Sequence, residues 1–358
     1  MIYNMKVKDR IEKLRKMLHL RDGSVYFTST PHHLYYFTGF TGGEGYLLVD
    51  ERSVNLFVDG RYTTQAKEEV WEGVNVILFS RIFDVLPQYL SNVKEIYLEF
   101  NVITMSFHSR LGEIVSDIEF KKAEDVVSNI RMEKDEYERK LIEKAIDIAQ
   151  NAFLKVLDII KPGVSERDIA AELCYQMKKL GADKESFDII VASGYRGALP
   201  HGVASDKKIK EGELIVIDWG AYFKGYVSDL TRMVVLGRVS EDAEYALQAV
   251  KEAQEMAIEK ARCCMSAKEI DAIARNALKE KKLAEYFTHS LGHGIGVEIH
   301  EKPRVSYMSD EIIRQNVIFT VEPGVYIPGK FGVRIEDDVI MTQDGVEVLS
   351  SLDKVYRL

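Results

Sequence analysis

At 358 residues the chain is long enough for two domains with sizeable cores, and 46% hydrophobic with 29% charged residues is a globular composition. A net charge of -9 argues against a nucleic-acid-binding surface, and no apolar run approaches the roughly 20 residues of a membrane span. The three cysteines, Cys174 and the adjacent Cys263-Cys264, offer neither a CxxC zinc spacing nor an ordinary disulfide, which points to a reduced, cytoplasmic protein.

The opening MIYNMKVKDRIEKLRKML carries charge throughout, where a signal peptide needs an apolar centre. It reads as an amphipathic helix with Ile11, Leu14, Met17 and Leu18 on one side. Five apolar runs of strand length follow, VYFTST, GYLLVD, SVNLFVD, NVILFS and EIYLEF, with helical stretches at 9–20, 61–71 and 82–91. This predicts a small N-terminal α/β domain. From Ala123 to Glu138 the sequence turns charged, which sets a boundary near residue 124 and divides the chain into 1–123 and 124–358. His19, His32, His33 and His108 have no evident convergent partner and read as ordinary surface or core residues.

The second part repeats an order of elements. A helix at about 135–160 precedes Ser165-Glu166-Arg167-Asp168, a capping sequence that opens a helix ending at Gly181; a helix at about 241–262 precedes the capping box Ser266-Ala267-Lys268-Glu269 and another helix. Each pair leads to a histidine-bearing loop (His201; His289 to His300) and then to a hairpin, and DWGAY and EPGVY match at an offset of 104. The first hairpin turns at Lys224-Gly225, the second around Gly329. A two-residue turn puts Asp218 and Asp229 diagonally on one face, and a three-residue turn puts Glu322 opposite Glu336. Two halves supplying one hairpin each would bring four acids together at the centre of one sheet. Acids on buried Val/Ile-rich strands resist ionising unless a cation lies between them, and two divalent ions would balance four charges.

An oxygen-rich set with one imidazole and no thiolate favours Mn²⁺, Co²⁺ or Fe²⁺ over structural zinc, though zinc remains possible. Such a centre suits hydrolysis of an amide or phosphate ester, and the absence of GxxxxGK[ST] and GxGxxG lowers the phosphate option.

The second part resembles the pita-bread-fold metallopeptidases, which include methionine aminopeptidases, aminopeptidase P and prolidase. The motifs are HG at 201–202, DWG at 218–220, SDLTR at 228–232, HSLGHGIG at 289–296, EIHE at 298–301, EPG at 322–324 and RIED at 334–337. The resemblance implies a pseudo-twofold α/β (α+β) catalytic domain behind the small N-terminal one, and five metal ligands: Asp218, Asp229, His293, Glu322 and Glu336. It further implies that Glu322 shuttles the proton, that His300 hydrogen-bonds the scissile carbonyl and that His201 contacts substrate. His289 and Arg334 are expected beside substrate or ligands, with Arg334 orienting a carboxylate, and Phe187 fits a proline pocket and core packing equally well. Manganese is the first expectation for two bound ions.

LYYFTGFTGGEGYLLV at 34–49 and LFVDGRYTTQA at 56–66 resemble the N-terminal domain of aminopeptidase P and prolidase, which methionine aminopeptidases lack. That shifts the expected substrate to a peptide with proline second, whose tertiary amide needs a dedicated pocket. Arg304, in HEKPRV, resembles an arginine with which prolidases grip a dipeptide's carboxylate, whereas FTGGEG and VDGRYTTQA look more like aminopeptidase P. The reading is an Xaa-Pro aminopeptidase, with an Xaa-Pro dipeptidase as the alternative. A creatinase-like hydrolase and a non-catalytic binding protein share the fold, but loss of ligands would mark either and none is lost. A homodimer is expected from the resemblance alone.

Overall fold

The computed structural model describes residues 2–115 and 117–358, which form two compact units, Met1–Arg131 and Met132–Leu358. In the first, helix α1 (Ile2–Leu18) precedes β1 (Ser24–Thr28), α2 (Pro31–Thr38), the hairpin β2 (Tyr46–Val49) and β3 (Val54–Val58), and α3 (Thr63–Glu69). Then come β4 (Asn75–Leu78), α4 (Ile82–Leu90), β5 (Glu95–Leu98), α5 (Met105–Ile114), β6 (Glu119–Lys122) and α6 (Glu124–Met132). The six strands form one sheet in the order β4-β3-β2-β1-β5-β6. Val25, Phe27, Leu48, Phe57, Ile96 and Leu98 pack with Leu86 and Leu90 of α4 and Leu111 of α5. The charged shift near residue 124 coincides with the start of α6, which packs with the first unit almost to its end.

Two expectations fail in this unit. Ile11, Leu14 and Leu18 are buried with Val7, but Met17 is 41% exposed. At about 100° per residue, Met17 lies some 60° beyond Leu14, off the buried arc. His33 is no isolated residue. Its Nε2 accepts from Arg131 at 2.7 Å and its Nδ1 donates to Glu99 at 2.6 Å, and Thr28, Thr30 and Tyr26 also donate to Glu99. The partners lie 66 and 98 residues away in sequence, where no local pattern reveals them.

The second unit is built on a repeated plan. α7 (Glu136–Val156) and α8 (Glu166–Lys179) lead through β7 (Lys184–Glu185) and β8 (Ile190–Ser193) to β9 (Glu213–Trp219), β10 (Ala221–Phe223), β11 (Tyr226–Val227) and β12 (Leu230–Leu236). α9 (Glu241–Lys260) and α10 (Ala267–Glu280) lead to β13 (Gly292–Gly294), β14 (Glu301–Val305), β15 (Ile318–Val321), β16 (Gly324–Ile327), β17 (Phe331–Arg334) and β18 (Asp337–Met341). β19 (Val346–Val348) and β20 (Val355–Arg357) close the chain. Reciprocal capping boxes start α7 at Asp135, α8 at Ser165 and α10 at Ser266, satisfying backbone N–H groups that a helix start leaves open. In each half an antiparallel strand lies beside the hairpin, β8 against β9-β12 and β13 against β15-β18. Trp219 anchors the first half to α7, donating from Nε1 to the Ala149 carbonyl at 2.9 Å and stacking on Phe153. Leu247 and Val250 of α9 and Ile270 and Leu278 of α10 share one core with Phe319, Val339 and Met341 of the second half.

Both turns have the expected lengths. Phe223 pairs with Tyr226 around Lys224 and Gly225, both at positive φ, and Ile327 pairs with Phe331 around Gly329 at φ 72°. The hairpins do not share one continuous sheet, however. The first belongs to β20-β12-β9-β8 and the second to β14-β13-β15-β18-β19, with β16-β17 as a separate ribbon. They meet at a single bridge, Thr231 with Glu336. Continuous pairing is interrupted because Pro323 has no N–H to give, and because a side chain at Gly220 would lie 1.8 Å from the Ser228 carbonyl oxygen. Among the described residues no helix is long and apolar enough to cross a membrane.

Candidate metal centre

Strand register brings the acids together. Asp218 pairs with Thr231, two residues from Asp229, so both acids lie on one face. Val321 pairs with Asp337 and Gly324 with Arg334, which leaves Glu322 opposite Glu336. Three of the four acids, Asp229, Glu322 and Glu336, occupy breaks between strands rather than strand interiors. There the backbone turns away from regular pairing and the carboxylates converge at the seam. The seam is fixed by Glu336 N–H donating to Thr231 O at 3.2 Å, by the Thr231 hydroxyl donating to Glu336 Oε2 at 2.7 Å, and by Asp229 N–H donating to Asp338 Oδ2 at 2.9 Å.

His293 enters from β13. Its N–H donates to the Thr320 hydroxyl, and its Nδ1 faces the Gly294 carbonyl at 3.2 Å, an acceptor that holds the ring proton there. Nε2 is left as a lone-pair donor, 3.4 Å from Glu322 Oε1 and 3.6 Å from Asp229 Oδ2. One ligand atom from each of Asp229, His293 and Glu336 lies within 4.8 Å of the others. Burial, and then the charge of His300, lowers the His293 pKa to about 3, so its imidazole is neutral near pH 7.

Burial raises the pKa of all four acids. Asp229 and Glu336 lie well above the carboxylate range, with neighbouring acid charges adding to burial, and Glu322 is pushed up to about 8. Arg334 is the fixed cation beside them, donating to Asp218 Oδ2 at 2.5 Å, to the Tyr326 hydroxyl at 2.8 Å and to the Pro200 carbonyl at 3.1 Å. One guanidinium leaves the cluster short of positive charge. Asp218 Oδ1 is buried with no hydrogen-bond partner among the described residues, an acceptor still wanting a cation or donor. These observations fit a divalent metal site.

All ten side chains singled out in the sequence, together with Phe187, line one cavity of about 930 Å³. Arg334 bonds to Asp218 rather than to Glu336, its neighbour on the strand. His289 faces the Ser290 carbonyl through Nδ1 and accepts from the Tyr326 hydroxyl at Nε2, 2.9 Å away, which links it to Arg334 through Tyr326. His300 and His201 are exposed on the wall, the His300 ring 4.3 Å from that of His293. Arg304 donates through Nε to the Ser290 hydroxyl at 3.0 Å, and its two terminal nitrogens have no hydrogen-bond partner among the described residues. Sequence reasoning missed Tyr326, Thr231 and Asp338. Tyr326 and Asp338 fall an even number of residues from Glu322 and Glu336 on strand-like segments, a period-2 signal that marks a shared face.

Buried carboxylates, a neutral imidazole and an open cavity are the equipment of a metal-dependent hydrolase. Residues 140–343 match metallopeptidase family M24, and residues 10–133 match the creatinase/prolidase N-terminal domain. The chain belongs to metallopeptidase family M24, a family of peptide-bond hydrolases. It is 41% identical over 349 residues to an Xaa-Pro dipeptidase of Pyrococcus furiosus, covering 97% of this chain and 99% of the relative. Among solved structures, it is similar to an Xaa-Pro dipeptidase from Bacillus anthracis, with a TM-score of 0.93 and 38% identity over 98% of this chain and 100% of the other. An X-Pro aminopeptidase from Thermotoga maritima matches with a TM-score of 0.90 and 39% identity, over 97% of this chain and 100% of the other.

Proposed function

We propose that the protein is an Xaa-Pro dipeptidase, cleaving the bond between the first residue and a C-terminal proline. The observation that carries the choice is Arg304, whose terminal nitrogens have no partner among the described residues, on the wall of the cavity that holds the acids. A planar guanidinium suits a carboxylate held by two parallel hydrogen bonds, and a dipeptide presents its carboxylate one residue from the scissile bond. The near-full-length likeness to the Pyrococcus furiosus dipeptidase supports the same choice. The sequence reading put the aminopeptidase first on features of the first unit; the Thermotoga maritima relative keeps it as the second reading.

Asp218, Asp229, His293, Glu322 and Glu336 would hold the metal, which when bound supplies Lewis acidity to polarise the scissile carbonyl and acidify water. Burial pushes the Glu322 carboxyl up to about 8 while no metal balances it, and the carboxylate that a bound metal would favour is placed to accept a proton and pass it on. The leaving nitrogen of any peptide bond must take up a proton as the bond breaks, and the tertiary amide before proline offers no N–H for the site to grip. Glu322 would deliver it. His300 would donate a hydrogen bond to the scissile carbonyl oxygen, where charge develops, and such a donor is worth roughly 3 kcal/mol of barrier in other enzymes. His201 would contact the substrate from the cavity wall. Two ions, with Mn²⁺ ahead of Co²⁺, Fe²⁺ and Zn²⁺, a homodimer and a cytoplasmic setting complete the reading, carried by family resemblance and the donor chemistry.

The test compares hydrolysis of Ala-Pro, Ala-Pro-Ala and Met-Ala-Ser with Mn²⁺ or Co²⁺ added. Preference for Ala-Pro is expected. Preference for Ala-Pro-Ala would favour the aminopeptidase, and cleavage of Met-Ala-Ser alone would overturn both readings.

A further inference from the structure

Glu166 is wholly buried, yet every side-chain hydrogen bond recorded for its carboxylate comes from one segment. Oε1 accepts from the Ser193 N–H at 2.8 Å and the Ser193 hydroxyl at 2.9 Å. Oε2 accepts from Arg196 Nε at 2.9 Å, the Ser205 N–H at 3.1 Å and the Ser205 hydroxyl at 2.6 Å. Ser193 and Ser205 are the two ends of the loop that carries His201. An acidic residue in the first turn of a helix is favoured by the helix dipole, but a solvent-facing acid would satisfy that equally well. A buried carboxylate receiving five donors is a different object. It is stable only while those donors stay in place.

The loop needs such a clamp. The His201 side chain makes no hydrogen bond among the described residues, so its position is inherited from the backbone that carries it. Around it, Arg196 also donates to the Val203 carbonyl at 2.6 Å, and Arg334 donates to the Pro200 carbonyl from the metal-centre side. Gly197 packs so closely on β17 that a side chain at Gly332 would lie 1.8 Å from its carbonyl oxygen. Glu166 itself does not line the cavity, whereas Pro200, His201 and Val203 do. We propose that Glu166 is a positioning residue: it pins both ends of the 193–205 loop and thereby sets where His201 meets the substrate. This rests on the proposed peptidase reading for His201.

Amide hydrogen exchange and kinetics of Glu166→Gln test it on the metal-loaded full chain. The glutamine keeps the volume but presents N–H groups where donors now point. Exchange is expected to quicken in peptides covering 193–205 with Mn²⁺ affinity unchanged. For Ala-Pro, kcat/KM is expected to fall by up to about a hundredfold, the scale of a small misplacement of a substrate-contacting group. In a His201→Ala background, Glu166→Gln should cost little more, because the group it positions is gone. Unchanged exchange in the loop would overturn the proposal, as would an equal loss of rate with or without His201. Should Glu166→Gln fail to fold, Ser205→Ala removes the hydroxyl donor at one end of the clamp while keeping its N–H, and is read in the same way with a smaller expected effect. If the wild-type chain cleaves no Xaa-Pro peptide, the peptidase reading falls, and the exchange measurement still decides whether Glu166 holds the loop.

Discussion

Asp218 divides its two oxygens between different tasks. Oδ2 is held by Arg334, and Oδ1 is buried without a partner among the described residues. The same division recurs at His293, where Nδ1 faces a carbonyl and Nε2 faces two carboxylates. In each case one atom is oriented by protein and the other is left for a ligand, which is how metal-binding side chains are usually held. Arg304 follows that pattern on the cavity wall, with Nε tied to Ser290, and is the proposed partner of the substrate carboxylate. Replacing Arg304 by alanine should therefore raise KM for Ala-Pro by about ten- to a hundredfold, the scale of a charge-assisted hydrogen bond, with a smaller effect on kcat. Ala-Pro-amide, which lacks the carboxylate, should bind both forms alike. Equal KM values for Ala-Pro in the two proteins would remove Arg304 from substrate recognition. At this scale the sequence is readable where parity operates: the turns at Lys224-Gly225 and Gly329 by themselves put the four acids in pairs. The partners of those acids were less legible. Thr231 and Tyr326 carry no charge, Asp338 shows only as the last acid of a Glu-Asp-Asp run, and Arg334 chooses Asp218 across 116 residues rather than its strand neighbour.

Between elements, buried polar clusters do much of the joining. In the first unit Glu99, at the end of β5, draws in Tyr26 and Thr28 of β1, Thr30 and His33 at the start of α2, and through His33 the Arg131 of α6. Burial alone would raise the Glu99 pKa, but hydrogen bonds from His33, Thr30 and Tyr26 and the charge of His33 outweigh it and hold the carboxyl at about 2, below its ordinary 4.5. A depressed folded pKa stabilises fully above the unfolded value. The contribution is lost as pH falls from about 4.5 towards 2, and on the order of 3 kcal/mol is at stake. Glu99→Gln should thus lower amide-exchange protection of the first unit at pH 6, and the gap from wild type should narrow by pH 3. A gap of the same size at both pH values would contradict this. Long periodic elements were plain in the sequence: the helices at 136–156 and 241–260 and strands β1 to β5 of the first sheet appear where periodicity placed them. α2, α5, α6 and β6 were missed; length is not the reason, since α5 is longer than α3 and α4, which were read, and what these segments lack is a clear hydrophobic period of their own.

The catalytic unit is one plan used twice, two helices followed by an antiparallel strand and a hairpin, and each half brings two acids to the seam. Neither half alone gathers four carboxylates and a histidine. The order of elements and the 104-residue offset of DWGAY and EPGVY made this legible. The seam itself was not. A single bridge between Thr231 and Glu336 replaces the continuous sheet, since Pro323 and the close approach at Gly220 break the ladders where the acids must converge. Substrate length was legible only as a conflict between Arg304 and the first unit. Near-full-length likeness to an Xaa-Pro dipeptidase and the two nitrogens of Arg304 that have no partner among the described residues weigh on one side of it. Xaa-Pro hydrolysis at this seam would depend on divalent metal held by its four acids and His293. The most direct measurement is the rate of Ala-Pro cleavage by chelator-stripped protein as Mn²⁺ is restored. The rate should start near zero and rise to a plateau as the site fills. A rate independent of added metal, or no cleavage at any metal concentration, would contradict it.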